Sequence, residues 1–137
     1  MARRRLRTAI REQVRARADG RCEYCRKPEG MNLYPHHADH ILPLKHGGDD
    51  ALDNLAWACF RCNVSKGSNV SSYDPDGGEL TPLFNPRMQT WADHFTLDGA
   101  HITGKTPVGR VTVLVLHMNH PTQIQTREAL IPLGVYE

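Results

Sequence analysis

Apolar residues near the start of the chain recur at every fourth position. Leu6, Ile10 and Val14 follow this spacing, which predicts an amphipathic helix over residues 3–18 whose end is marked by Gly20. Arginines repeat with the same spacing on a neighbouring face, so one side of the helix suits a small core and another suits phosphates or water. These arginines are Arg3, Arg7, Arg11 and Arg15.

The middle of the chain predicts two short strands followed by a helix. Pro35 and Pro43 exclude a helix over most of residues 31–48 and favour an extended segment that a Gly-Gly turn closes. After a loop and a second short strand, a helix is predicted over residues 60–66, and the glycine that follows stops it.

The C-terminal half contains a loop, a hairpin, a strand and a helix in the predicted order. Residues 68–86 are rich in Ser, Asp, Gly and Pro, which indicates a long loop. Asp98 and Gly99, flanked by alternating residues, predict a β-hairpin. Residues 110–119, RVTVLVLHMN, predict the strongest strand of the chain, and residues 121–134 predict a helix that is broken near its second proline.

Composition and charge favour a protein that contacts polyanions. The length suits a single domain, 1–137, made of a basic helix (1–20), a core (21–67) and a C-terminal extension (68–137). The net charge of +2 hides an asymmetry, because residues 1–27 carry ten Lys or Arg against three Asp or Glu, which favours nucleic acid as the partner. No apolar run suits a membrane span and no secretory signal is recognisable, so we expect a cytoplasmic protein without a membrane partner.

Four cysteines form two C-x-x-C pairs, which is the spacing of metal-binding knuckles. No cysteine is left over, and without a secretory signal disulfides are not expected. Four thiolates predict a structural zinc ion, which would help to fold a chain with an apolar content of 39%. The 33 residues between the pairs exceed the usual zinc-ribbon separation of about 15–20, so a further segment is inserted between the knuckles. The cysteines are Cys22, Cys25, Cys59 and Cys62.

The inserted segment carries side chains that suit the hydrolysis of a phosphodiester. A neutral imidazole can take a proton from water, and a divalent metal held by side-chain oxygens can stabilise the developing charge. Asp39 and His40, together with Asn54 and Asn63, could supply this set. Neighbours on a strand point to opposite faces, so a bulge or turn is needed to bring the first two to one site.

The stretch DHILPLKHGGDDALDNLAWACFRCNVSKG resembles the core of the HNH nuclease family. It matches the pattern D-H-I-x-P, G-G, N-L and C-x-x-C-N-x-x-K without a gap, and the separations of 14 and nine positions from His40 to Asn54 and on to Asn63 are typical of that family. The resemblance implies an α+β fold with a ββα-metal core inside a zinc frame. It also implies that His40 is the general base, that Asp39 and Asn63 bind the catalytic metal, and that Asn54 holds the loop carrying the histidine. The segments LTPLFNPR, WADHF and GRVTVLVLHMN resemble a tail found in many bacterial HNH proteins.

Five further side chains near these motifs have competing interpretations. His37 shares a face with the predicted aspartate ligand and is interpreted as a packing or orienting neighbour, with metal or phosphate contact as the alternative. Lys66 is grouped with the arginines as a nucleic-acid contact, although it could instead favour the dipole at the end of its helix. Arg87 either binds phosphate or pairs with a carboxylate. His36 and His46 are expected at the surface.

Three hypotheses about function follow from these residues. The first is a metal-dependent DNA endonuclease that uses Mg²⁺, with Mn²⁺, Ni²⁺ or Zn²⁺ as substitutes. The second is a zinc-stapled nucleic-acid-binding adaptor without cleavage, which explains the cysteines and arginines but not the joint presence of the Asp-His-Asn-Asn set. The third places a catalytic zinc among the histidines of residues 36–40, where no nearby Glu offers a base. A homodimer would suit double-strand cleavage, although no feature of the sequence requires one.

Overall fold

The helices and strands of the protein are short and are joined by tight turns. The computed structural model describes residues 6–30 and 34–136, so the predicted contact Arg3 lies outside the described residues. None of the described helices has the length and apolar composition needed to cross a membrane. The helices are α1 (Thr8–Arg17), α2 (Phe60–Lys66), α3 (Trp91–His94), α4 (Pro107–Val115) and α5 (Pro121–Leu130). The strands β1 (His37–His40) and β2 (Leu55–Ala58), β3 (Ser71–Tyr73) and β4 (Leu80–Pro82), and β5 (Phe95–Asp98) and β6 (His101–Gly104) pair as three antiparallel hairpins. Single 3₁₀ turns occupy Leu44–His46, Leu52–Asn54 and Ile131–Leu133.

The β1–β2 hairpin separates two apolar clusters. Successive side chains of a strand point to opposite faces, and in β2 Leu55 and Trp57 pack with α1, whereas Ala56 and Ala58 belong to the core that contains the cysteines. Cys62 of α2 lies in that second core. Helices α1 and α2 therefore lie on opposite faces of the hairpin.

Helix α2 has the bounds that the sequence predicted, because both of its ends are fixed locally. At its start the Cys59 sulfur accepts a hydrogen bond from the Cys62 N–H group. At its end Gly67 takes a positive φ of 50°, which residues with a Cβ rarely adopt. The confirmed order strand, strand, helix is the ββα arrangement that the resemblance implied.

Helix α1 begins at Thr8, later than the start at residue 3 that the sequence predicted, and the predicted apolar stripe packs on the hairpin. Val14 is fully buried, and Leu6 and Ile10 pack beside it against β2. Burial of a side chain of this size contributes about 1.5–3 kcal/mol. Arg17, the last residue of the helix, donates hydrogen bonds to the carbonyl oxygen of Leu52 at 2.9 Å and to the first carbonyl of β2 at 2.6 Å. The helix is thus tied to the hairpin by both apolar and polar contacts.

Residues 110–119 were predicted to form a strand, and this prediction is wrong. They form the second half of α4 and the turn after it. The helix begins where the Thr106 hydroxyl accepts a hydrogen bond from the Gly109 N–H group at 3.1 Å, a capping arrangement that overrides the strand propensity of the valines. A Cβ on Gly109 would lie 2.0 Å from the last carbonyl oxygen of α3, so glycine permits the close approach of the two helices.

The other C-terminal predictions agree with the structure in part. The predicted hairpin is confirmed as β5–β6, with Gly99 at a positive φ of 60° in its turn. The helix broken near Pro132 is confirmed as α5 followed by a 3₁₀ turn. The predicted long loop over residues 68–86 instead contains the β3–β4 hairpin. Two hydrogen bonds of 2.9 Å from Arg110 to the Asp74 carboxylate hold that hairpin against α4.

The C-terminal segment covers the first cysteine pair. The Tyr136 hydroxyl donates a hydrogen bond to the carbonyl oxygen of Cys25, and the Arg21 guanidinium donates to the carbonyl oxygen of Val135 at 3.0 Å. Apolar side chains from β5, β6 and α4 share one buried cluster with the cysteines. The C-terminal extension therefore completes the core around the knuckles.

Candidate functional site

Four cysteine sulfurs lie together in the core. All four residues are fully buried, and their sulfurs lie within 4.8 Å of one another. The N–H groups of Cys25 and Cys62 each donate at 3.4 Å to the sulfur three residues earlier, and the sulfurs of Cys25 and Cys59 are 3.6 Å apart. Hydrogen bonds from the other thiols, that of Cys22 foremost, lower the pKa of the Cys59 thiol, whereas burial raises the pKa of the Cys22 thiol. This donor set fits a tetrahedral zinc ion with Zn–S bonds of about 2.3 Å.

A second group of predicted residues lines one cavity of about 500 Å³ beside α2. Asp39 and His40 contribute from the end of β1, and Asn63 contributes from the middle of α2. The strand keeps its regular register as far as His40, so the chain turns immediately after this residue rather than at a bulge within the strand. The carboxylate and amide oxygens of this set suit a hard divalent cation such as Mg²⁺, so the residues present fit the predicted metal.

The imidazole of His40 is paired with a carboxylate that the sequence prediction did not include. Its Nε2 lies 2.8 Å from Oδ1 of Asp50, and its side chain is 11% exposed. An ionised carboxylate only accepts, so Nε2 carries a proton in this bond. In the neutral imidazole the other nitrogen, Nδ1, is therefore the proton acceptor. The only hint in the sequence was that Asp50 follows the Gly-Gly turn that returns the chain toward β1.

The carboxylate of Asp39 is buried and paired. Its Oδ2 lies 3.1 Å from the Lys66 ammonium and accepts a hydrogen bond from the Tyr24 hydroxyl at 3.2 Å. Burial raises the pKa of Asp39, and the Lys66 ammonium offsets part of this rise. The same burial raises the pKa of Tyr24, which keeps its hydroxyl a donor to the carboxylate.

The structure corrects the prediction that Lys66 contacts DNA. Its side chain is 2% exposed, and the ammonium donates to the carbonyl oxygen of His40 at 2.9 Å in addition to pairing with Asp39. Asn63 lies one turn earlier on the same face of α2, and that face is directed at the site. The lysine is therefore part of the interior of the site rather than of the surface.

The side chain of Asn54 closes the loop between β1 and β2. Its amide nitrogen donates to the carbonyl oxygens of Leu42 at 3.0 Å and Asp49 at 2.8 Å, and its Oδ1 accepts from the Leu42 N–H group at 2.9 Å. In addition, its backbone carbonyl accepts from the Ile41 N–H group at 2.8 Å. These bonds fix the chain directly after His40.

The other histidines of the cluster have separate surroundings. His37 is half-buried on β1 opposite Ala58 and is not among the residues that line the cavity. The expectation of a surface position is wrong for His36, which is 3% exposed and whose Nε2 lies 2.9 Å from the carbonyl oxygen of Lys27. His46 is exposed, as expected.

The arginines of the predicted stripe that the structure describes lie away from the cavity. Arg7 precedes the first residue of α1 and Arg11 lies within the helix, on the hairpin face opposite α2. Arg15 is engaged by Glu29, whose carboxylate accepts from the guanidinium at 2.8 and 3.0 Å. Arg87 likewise takes the carboxylate-pairing interpretation, because it contacts the side chain of Glu23.

A ββα segment, four clustered thiols and a cavity lined by Asp, His and Asn are the features that the resemblance to the HNH family predicted. Residues 22–69 match the model of the HNH endonuclease family, which confirms the resemblance for the part of the chain that holds both cysteine pairs and the cavity. One relative is the Septu protein PtuB of Bacillus thuringiensis, which is 28% identical over 104 residues, or 74% of this chain. The chain spans 38% of the length of that relative. No solved structure gives a significant match to the chain.

Proposed function

We propose that the protein is a metal-dependent endonuclease that hydrolyses phosphodiester bonds of DNA. One cavity lined by all three predicted residues carries this proposal. Asp39 and His40 are neighbours on a strand and point to alternate faces, and Asn63 is far from both in sequence. The match of residues 22–69 to the HNH endonuclease family supports the same chemistry.

In the proposed mechanism each side chain has one task. His40 takes a proton from the attacking water at Nδ1, and Asp50 holds the ring through Nε2 and stabilises the imidazolium that forms. Asp39 and Asn63 would hold the divalent ion, and that ion, when bound, supplies a Lewis acid for the phosphate and the leaving oxygen. Asn54 keeps the loop after His40 in place, and the four cysteines would hold a structural zinc ion.

Supercoiled plasmid provides the test. Purified zinc-loaded protein is incubated with plasmid and Mg²⁺ or Mn²⁺ beside a His40→Ala variant that retains its zinc. His101→Ala is the matched control, because it removes an exposed imidazole from β6. We expect the unaltered protein and the control to convert supercoiled plasmid, and His40→Ala to leave it intact.

Two outcomes would contradict the proposal. Equal cutting by His40→Ala and the control would remove His40 from the mechanism. If every form leaves the plasmid intact but shifts its mobility in a gel, the hypothesis of a nucleic-acid-binding adaptor replaces that of a nuclease.

A further inference from the structure

We propose that Lys66 competes with the divalent ion for Oδ2 of Asp39, so that an ion binds this oxygen only by displacing the lysine ammonium. The inference concerns the regulation of the proposed site and rests on the proposed function for the identity of its metal. It assigns a task to a buried lysine that the sequence placed on the surface.

Lys66 and Asp39 form a buried pair. The Lys66 ammonium and Asp39 Oδ2 are 3.1 Å apart, and their side chains are 2% and 7% exposed. Water and salt therefore screen this pair weakly. Tyr24 donates to the same oxygen, so Oδ2 already has a cation and a hydroxyl donor as its partners.

The Lys66 ammonium would repel a metal ion bound to the same carboxylate oxygen. A divalent ion lies about 2 Å from a carboxylate oxygen that binds it. An ion bound to Oδ2 would therefore lie within about 5 Å of the Lys66 ammonium, where charges in a protein interior interact strongly. A metal ion and the ammonium cannot both be held at low cost on this one oxygen.

A second cavity offers other hydrogen-bond acceptors to the lysine. Lys66 lines this cavity, of about 420 Å³, and is not among the residues that line the cavity of Asp39 and Asn63. This cavity is mainly apolar but includes the side chains of Asn69, Asn85 and Gln89, whose carbonyl oxygens can accept from an ammonium. The four-carbon stem of lysine suits such a swing.

This competition makes metal binding depend on the substrate. Without DNA, the lysine neutralises Asp39 and keeps the affinity for the metal low. A phosphate group in the cavity adds negative charge there, which favours the doubly charged ion over the single charge of lysine. Metal loading and DNA binding are then positively coupled, and each strengthens the other.

The unmodified protein allows a direct test by NMR. A buried, hydrogen-bonded ammonium exchanges its protons slowly enough to be observed, so the Lys66 signal is recorded in zinc-loaded protein before and after addition of Mg²⁺ alone. We expect the Lys66 signal to shift or vanish over the same range of Mg²⁺ that moves the signals of Asp39 and Asn63. A Lys66 ammonium signal that stays unchanged while those two move would overturn the proposal.

Two variants supply an independent test. Mn²⁺ binding is measured from the signal of the free ion in electron paramagnetic resonance, with zinc content as the measure of correct folding. Removal of the charge by Lys66→Met should tighten Mn²⁺ binding by at least about tenfold, whereas Lys66→Arg keeps the charge and should bind as weakly as the unaltered protein. A zinc-loaded Lys66→Met protein whose affinity is equal or lower refutes the competition; if this variant loses zinc, the NMR result decides.

These measurements separate the inference from the proposed function. Displacement of Lys66 by Mg²⁺ in a protein that never cuts plasmid would uphold the inference and refute the nuclease. Plasmid cleavage by a protein whose Lys66 stays on Asp39 in the presence of Mg²⁺ would uphold the nuclease and refute the inference.

Discussion

Asn54 is the residue whose loss should most clearly separate stability from activity. Asn54→Ala removes three hydrogen bonds that join the two ends of the loop after β1. Each hydrogen bond contributes about 0.5–1.5 kcal/mol to stability. Because the loop is largely exposed, water can replace part of this contribution. We therefore expect the free energy of unfolding to fall by about 1–3 kcal/mol. Activity should fall by about 10²-fold or more, because a displacement of about 1 Å at His40 is enough for such a loss.

The assay combines urea unfolding with the rate of plasmid cleavage at saturating metal, measured on protein with full zinc content. Asp53→Ala is the matched control, since it removes an exposed side chain from the same 3₁₀ turn. The control should change neither quantity by much. If Asn54→Ala loses stability as expected but cuts DNA at the rate of the control, the loop bonds do not position His40 and our reasoning about Asn54 is refuted.

Three further predictions concern zinc, the Gly-Gly turn and the arginines. Cys59→Ser removes a zinc ligand and the sulfur that caps α2, so zinc content by mass spectrometry and the thermal transition by circular dichroism should be lost together; a folded variant with full zinc would contradict this. Gly48→Ala should reduce cleavage more than Gly47→Ala. A Cβ on Gly48 would lie 1.7 Å from the carbonyl oxygen of Leu42, whereas a Cβ on Gly47 would meet nothing within 4 Å. Of the two glycines, however, only Gly47 has a positive φ. The reverse order would show that backbone strain matters more than this clash. Replacement of both Arg7 and Arg11 by alanine should lower the salt dependence of DNA binding, measured by fluorescence anisotropy, by about two phosphate contacts, and an unchanged slope would exclude this stripe from the interface.

The parts of the fold that local interactions determine were predicted well from the sequence. The bounds of α2 follow from the capping sulfur of Cys59 and from Gly67, and the β5–β6 hairpin follows from its Asp-Gly turn. The error at residues 110–119 has a different origin. The strand propensity of valine-rich segments is weak and can be overridden by capping and tertiary packing. Here the cap at Thr106 and the packing of one apolar face select a helix.

The candidate site was predictable to the extent that its residues belong to one sequence motif. The spacing of that motif brought Asp39, His40 and Asn63 to one cavity. Asp50 was missed because its contact with His40 depends on the path of the loop, which spacing does not describe. The inward direction of Lys66 could have been inferred, since a residue three positions after Asn63 lies on the same face of a helix.

The covering of the first cysteine pair by Tyr136 has a consequence for the time course of synthesis. This contact joins residues 111 positions apart, and the roughly 74 residues from Cys62 to Tyr136 take about 4–15 s to synthesise at about 5–20 residues per second. For that interval all four thiols have been made while their cover has not. We expect zinc to enter during this interval through the side that the segment with Tyr136 later closes, and to exchange more slowly once that segment is in place.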